Sequence, residues 1–175
     1  MPLQGIAATL AANRIGSGYG ALAAGADILI AEALLAHGAA LHVILPCTAE
    51  LFKSISVDPF GGDWPARFDH CLASAASVRF ATDDRSLSCH RALDLASTMA
   101  MGMAIEEADL HCTKALQITA AAGGGAGAAD PRLSIDMGCC RAGEFSSGVG
   151  TGPRRPAARR GYPRTEPVYG GNAVC

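Results

Sequence analysis

The chain has 175 residues, half of them hydrophobic and 17% charged, with a formal net charge of −2. That length suffices for one α/β domain with a packed core and not for two, and the near-neutral balance argues against a general nucleic-acid binder. The charge is uneven: residues 1–140 hold eight basic and fourteen acidic side chains, and residues 141–175 hold six arginines and two glutamates, so a mildly acidic domain precedes a basic tail.

Residues 3–13, LQGIAATLAAN, predict a short amphipathic helix with Leu3, Ile6 and Leu10 on one side. Gly16, Gly18 and Gly20 break it, and a strand in or beside residues 14–19 is left very short. A second helix runs from Ala23 to His37, where Gly38 fits the left-handed residue that ends helices. Residues 39–46 form a continuous apolar run closed by Pro46, the pattern of a strand buried on both faces of a parallel sheet. A short helix capped by Thr48, a Gly/Pro loop over 57–65 and a helix over 65–76 follow, with Asp63 as a cap. Residues 77–84 read as a strand, 88–109 as a long helix with a stripe of Leu93, Ala96, Met99 or Ala100, Met103 and Ala104, and 114–120 as a further strand.

The strand–helix alternation predicts an α/β fold, a Rossmann-like three-layer sandwich with a mostly parallel sheet. The organisation expected is an α/β domain over 1–120, a Gly/Ala-rich linker over 121–140 with one helical turn or short strand at 129–138, and a disordered Gly/Pro/Arg-rich tail over 141–175. Seven cysteines with no CxxC spacing read as reduced thiols, mostly core filler, and not as a zinc or redox motif. With no secretory signal and no charge-free run of membrane length, the default compartment is the cytoplasm.

GSGYGA, residues 16–21, fits G-x-G-x-x-A, a permitted form of the dinucleotide fingerprint. Two readings stand. Glycines let a backbone approach a phosphate and lead into a helix N-terminus with unpaired amides; equally, they supply positive φ and close strand–helix packing. The motif follows a helix and not a strand, its ribose-binding acid is poorly placed, and no lysine makes it a P-loop.

The order from GYGALAAGADILIAEALLAHG to AALHVILP, residues 18–46, resembles the core of the SLOG superfamily, the Rossmann-like group that includes DprA and the LOG proteins. FKSISV, WPARFDHCLASAASVRFATDD and LASTMAMGMA resemble more specifically a bacterial, TRAFs-binding-like branch found with nucleotide-cyclase or tetratricopeptide modules. The resemblance covers residues 5–120. It implies a domain that binds a nucleotide or nucleotide-derived ligand as a non-enzymatic sensor with no resident cofactor and signals to a cyclase or tetratricopeptide partner domain; no membrane partner is expected, and a DprA-like role in DNA handling is disfavoured by the −6 charge of residues 1–140. Gly16 and Ser17 enter the candidate site through the glycine motif; by resemblance Gly18, Tyr19, Gly20 and Gly25 lie in the ligand turn, Asp27 in the first helical turn, and Pro46 and Thr82 just past strand ends.

Two departures from the family pattern matter. The family begins with an apolar strand and loop before the first helix, whereas this chain starts inside that helix, which implies a sheet incomplete at its N-terminus. The strand at 114–120 runs into Gly/Arg-rich sequence and not into another helix. A fragment, a misassigned start and an altered 3′ end all fit. The alternatives to a sensor are a LOG-type nucleotide N-glycosidic hydrolase and a ligand-free interaction scaffold. GGGAG at 123–127 lacks the Thr and Glu of the LOG phosphate motif, and Glu32 is the remaining acid near the turn. Asp83 and Asp84 read as Mg²⁺ ligands or helix caps, His42 as a core histidine, and the arginines of PRRPAARR as a contact to nucleic acid or an acidic partner, or a tail without function.

Overall fold

The computed structural model describes residues 2–83, 89–121, 134–140 and 171–174. In chain order these are α1 (Pro2–Asn13), β1 (Ser17–Gly20), α2 (Ala26–His37), β2 (Ala40–Leu45), α3 (Ala49–Ser56), a 3-10 turn (Asp58–Phe60), α4 (Trp64–Ser74), β3 (Ser77–Phe80), α5 (Cys89–Leu110), β4 (Ala115–Ala121), β5 (Ser134–Cys140) and β6 (Gly171–Val174). The sheet order is β3-β2-β1-β6-β4-β5. Strands β1, β2 and β3 are parallel, and β6 pairs antiparallel with both β1 and β4.

The three layers follow from residue alternation along the strands. Leu41, Val43 and Leu45 of β2 enter a core with Ile6 and Leu10 of α1, Ile28, Ala31 and Leu34 of α2, Phe52 of α3, and Phe68 and Cys71 of α4. Ile44 faces the other way, with Tyr19 and Ala115, against α5. The α5 contact is an alanine ridge, Ala92, Ala96, Ala100, Ala104 and Ala108, all buried at i, i+4 spacing. Small side chains let this helix approach the sheet closely, while Met99 and Met103 pack beside the ridge, half-buried.

The fold is therefore the expected α/β sandwich, with its parallel character confined to β3-β2-β1. Of the helical turn or short strand expected at 129–138, the strand is present, over 134–140, and 171–174, assigned to the tail, is also a strand. In β5, Ile135, Met137 and Cys139 alternate with Asp136 and Gly138, which is the period of a strand. In β6 no such pattern exists; main-chain pairing on both sides, with Tyr19 and Gln117 each opposite Val174, takes the place of a hydropathy signal. Most of the expected linker, 122–133, and of the expected tail, 141–170, lies outside the described residues.

Helices α1, α2 and α5 end alike. At α2, Gly38 (φ 81°) sends its N–H to Leu35 and Ala39 its N–H to Leu34, the paired closure of a Schellman motif. At α1 the same pair runs from Arg14 to Ala11 and from Ile15 to Leu10, and at α5 from Cys112 to Asp109 and from Thr113 to Ala108. There the left-handed position is held by Arg14 (φ 54°) and Cys112 (φ 52°), with no glycine to relieve the contact with Cβ.

Gly18 is a packing residue. A Cβ on it would collide with Cδ1 of the buried Leu34. Gly18→Ala is expected to lower stability by about 1–3 kcal/mol through overpacking, and the cost should shrink markedly when measured in a Leu34→Ala background by denaturant titration. Cys112→Gly is expected to do the reverse: relief of the left-handed strain, set against the extra chain entropy of glycine, should raise the unfolding free energy by about 0.5–1 kcal/mol. An unchanged or lowered midpoint in thermal melts would contradict that reading of the α5 terminus.

Candidate functional site

β1 delivers the chain to the carboxyl edge of the parallel strands, and residues 21–25 turn it back into α2. This is the edge at which open α/β sheets place ligands, near the point where the crossovers change face; here α2, α3 and α4 cover one face and α5 the other. Gly25 is the N-cap of α2 with φ 106°, a conformation that favours glycine, and α2 has no side-chain cap. Its first-turn amides therefore keep the donor character of a bare helix N-terminus.

Asp27 lies one residue into that turn. Its carboxylate folds back so that Oδ2 accepts the N–H of Ala23 at 3.2 Å. Oδ1 is buried without a hydrogen-bond partner. Burial pushes the carboxyl up to about 6, only partly offset by the Ala23 hydrogen bond. The turn is also tied to α3, because the N–H of Ala24 donates to the carbonyl of Ser56 at 3.0 Å. Pro46, buried, and Thr82, half-buried, follow β2 and β3 on the same edge.

The candidate residues thus do not form one cluster. Gly25, Asp27, Pro46 and Thr82 stand at the carboxyl edge. Gly18, Tyr19 and Gly20 are in β1 itself and not in the turn. Gly16 and Ser17 lie at the amino end of β1, about 13 Å of extended chain from Gly20 at ~3.3 Å per residue, too far apart for one phosphate group to touch both. Gly18 faces α2, while Ser17 and Tyr19 face α5: the Ser17 hydroxyl donates to Glu107 Oε1 at 2.9 Å, and the Tyr19 ring stacks on His42 with centroids 4.6 Å apart. Gly16, Ser17 and Tyr19 instead line a cavity of about 720 Å³ at the amino end, which the glycine motif alone did not disclose.

Other candidate chemistry is accounted for by packing. Glu32 takes a two-pronged bond from Arg67, Nε to Oε1 at 2.7 Å and Nη2 to Oε2 at 2.5 Å, and the Arg67 guanidinium lies 4.2 Å from the Trp64 ring centroid. The acid that a hydrolase would need is thereby clamped between α2 and α4. His42 is half-buried, with Nδ1 2.8 Å from Ser77 Oγ; burial, and then the charge of Arg79, lower its pKa. Thr48 caps α3 by accepting the Leu51 N–H, whereas Asp63 makes no capping bond at α4. Cys71 is buried but Cys112 is exposed, because the chain there is leaving α5. Asp83 is exposed, and Asp84 and 123–127 lie outside the described residues. Among the described residues no group of His, Cys, Asp and Glu could hold a metal ion, and no helix is long and apolar enough to cross a membrane. No family model, curated protein or solved structure matches the chain.

A raised carboxyl pKa ties stability to pH. Folded Asp27 protonates more readily than the unfolded residue at 3.8, so its ionisation opposes folding. Its contribution is most favourable below the unfolded value, declines as pH rises through the folded value near 6, and is flat above it. The full span is on the order of 3 kcal/mol. Asp27→Asn should flatten the stability profile between about pH 4 and pH 6, and urea midpoints across that range provide the check. If the substituted protein kept the wild-type slope, Asp27 would be removed as its source.

Proposed function

We propose that the chain is a binding module for a nucleotide-derived ligand, held at the residue 21–27 turn, and that it acts as a sensor and not as an enzyme. The observation that carries this reading is Asp27 Oδ1, a buried acceptor without a partner in the first turn of an uncapped helix. Leaving such an atom unsatisfied costs about 1–3 kcal/mol, and a ligand hydroxyl that donates to it would recover that loss. The bare amides of α2 favour an anionic group nearby. Hydroxyl and anion together are the features of a ribose phosphate, and the SLOG resemblance of residues 18–46 supports the same class. A cytoplasmic setting accords with the cysteine usage.

Sensing follows from the closure of the site. Oδ1 is shut off from solvent, so a ligand reaches it only when the turn shifts. A shift of the turn breaks the bond from Ala24 to Ser56 at the end of α3. Helix α3 presents Leu51 and Ile55, both exposed and one turn apart, with Phe60 exposed just beyond. That apolar surface is where a partner, such as the cyclase or tetratricopeptide module of the resembling branch, would register the change. A hydrolase is disfavoured by the clamped Glu32.

The test is a calorimetric and thermal-shift panel of nucleoside monophosphates, cyclic nucleotides and ADP-ribose against the full chain. At least one should raise the midpoint, since saturation a hundredfold above Kd adds about 2.7 kcal/mol. Asp27→Ala and Gly25→Val should each weaken that ligand by about tenfold or more, roughly the loss of one charge-assisted hydrogen bond. Failure of every nucleotide to bind sinks the sensor reading, and release of free base from a monophosphate replaces it with the hydrolase.

A further inference from the structure

The amino-end cavity has its own chemistry. It opens where β1 and β4 begin and where α1 and α5 end, and its volume of about 720 Å³ falls within the range of small-molecule sites. One wall is apolar: Ile15 and Leu116 with the alanines Ala104 and Ala108, one helical turn apart, which present a flat surface. Tyr19, its ring stacked on His42, lines the same cavity. Charge of both signs faces the same space. Arg14 and Lys114 are exposed and make no ion pair among the described residues. Glu107 is half-buried; Ser17 occupies its Oε1, and among the described residues nothing donates to Oε2.

Backbone geometry converges on this cavity as well. Arg14 and Cys112, the non-glycine residues with positive φ among those described, end the helices that frame it. The strained turn at Arg14 brings a guanidinium to the rim at a position where glycine would be easier to accommodate, and the turn at Cys112 leads directly into Thr113 and Lys114.

We propose that this cavity binds a small amphipathic carboxylic acid that also carries a hydroxyl or amine donor. The apolar wall takes the body, Arg14 and Lys114 take the carboxylate, and Glu107 Oε2 accepts from the donor. Ser17 positions Glu107 by holding its other oxygen. Neither cation alone defines the ligand, and neither does the acid; the unmatched pair of signs around an apolar wall calls for a molecule with both functions. This site does not rest on the nucleotide reading, because it lies at the opposite end of β1 from Asp27.

A matched indole series separates the contributions by calorimetry on the full chain. L-tryptophan and indole-3-lactate carry acid and donor, indole-3-propionate lacks the donor, and tryptamine lacks the acid. Tryptophan or indole-3-lactate should bind saturably and about tenfold tighter than the two incomplete probes; which of the two is tighter identifies amine or hydroxyl as the donor. Arg14→Gln combined with Lys114→Gln, both at exposed positions, should weaken that binding about tenfold or more. Glu107→Gln should erase the preference over indole-3-propionate, and Asp27→Asn should change nothing. The proposal fails if neither donor-bearing acid saturates below about 10 mM, if indole-3-propionate binds equally well, if the double variant binds as wild type does, or if Asp27→Asn abolishes binding.

Discussion

The close approach of α2 to β1 at Gly18 is the contact on which the rest of the arrangement depends. Leu34 occupies the volume where a side chain on residue 18 would sit, so the helix rides directly on the strand backbone. That short separation allows a turn of only five residues, 21–25, to reverse the chain, and it sets the N-terminus of α2 immediately above the end of β1. Leu22 and Ile28, both fully buried, close the turn from beneath. Asp27 is drawn into the interior by the same geometry: it lies in a turn flanked by those buried apolar positions, and its Oδ2 finds a donor only by folding back to Ala23.

The glycines show how a sequence pattern can be sound and still be misassigned. Gly16, Gly18 and Gly20 recur at a spacing of two, which places them on one side of an extended chain. Read as G-x-G-x-x-A they suggest a phosphate loop; in the structure Gly18 presses β1 against Leu34 of α2, while a Cβ on Gly16 would meet open space. The elements themselves were largely legible, because β2 is a continuous apolar run and α2 ends on Gly38. The alanine ridge of α5 was only half visible, since alanine carries little hydrophobic weight and the larger Leu93 and Met103 dominate the pattern. β6 was not legible at all: a Gly-Asn-Ala-Val segment has no apolar period, and only two waiting strand edges give it a place. The amino-end cavity escaped for a similar reason, as Arg14 and Ser17 lie far along the chain from Glu107 and Lys114 and no local spacing links them.

Local cost is concentrated at the ends of elements. Among the described residues the core is without polar exceptions apart from Asp27, and the strained backbone positions without glycine are Arg14 and Cys112. A domain with ample apolar burial tolerates a few kcal/mol of such cost, and places that retain it are those where selection for stability alone would have removed it. Asn would serve the Ala23 hydrogen bond with no ionisation to oppose folding, and Gly would suit residue 112 better than Cys. One of these costs borders the turn at the carboxyl edge, and the other two border the cavity at the amino end.

β1 joins the two places through four residues. Its odd-numbered side chains, Ser17 and Tyr19, engage α5 and β2 through Glu107 and His42, while Gly18 carries α2. The two edges are therefore read by opposite faces of a single short strand. Leu34 of α2 meets β1 at Gly18, on the face opposite Ser17 and Tyr19. A shift of α5, in contrast, acts on Glu107 and the alanine ridge and, through Tyr19 and Ile44, on β1 and β2 together, whose parallel pairing runs the whole length of β1. Strand β6 also touches both α2 and α5, so the two edges are joined through the sheet by β1 and by β6.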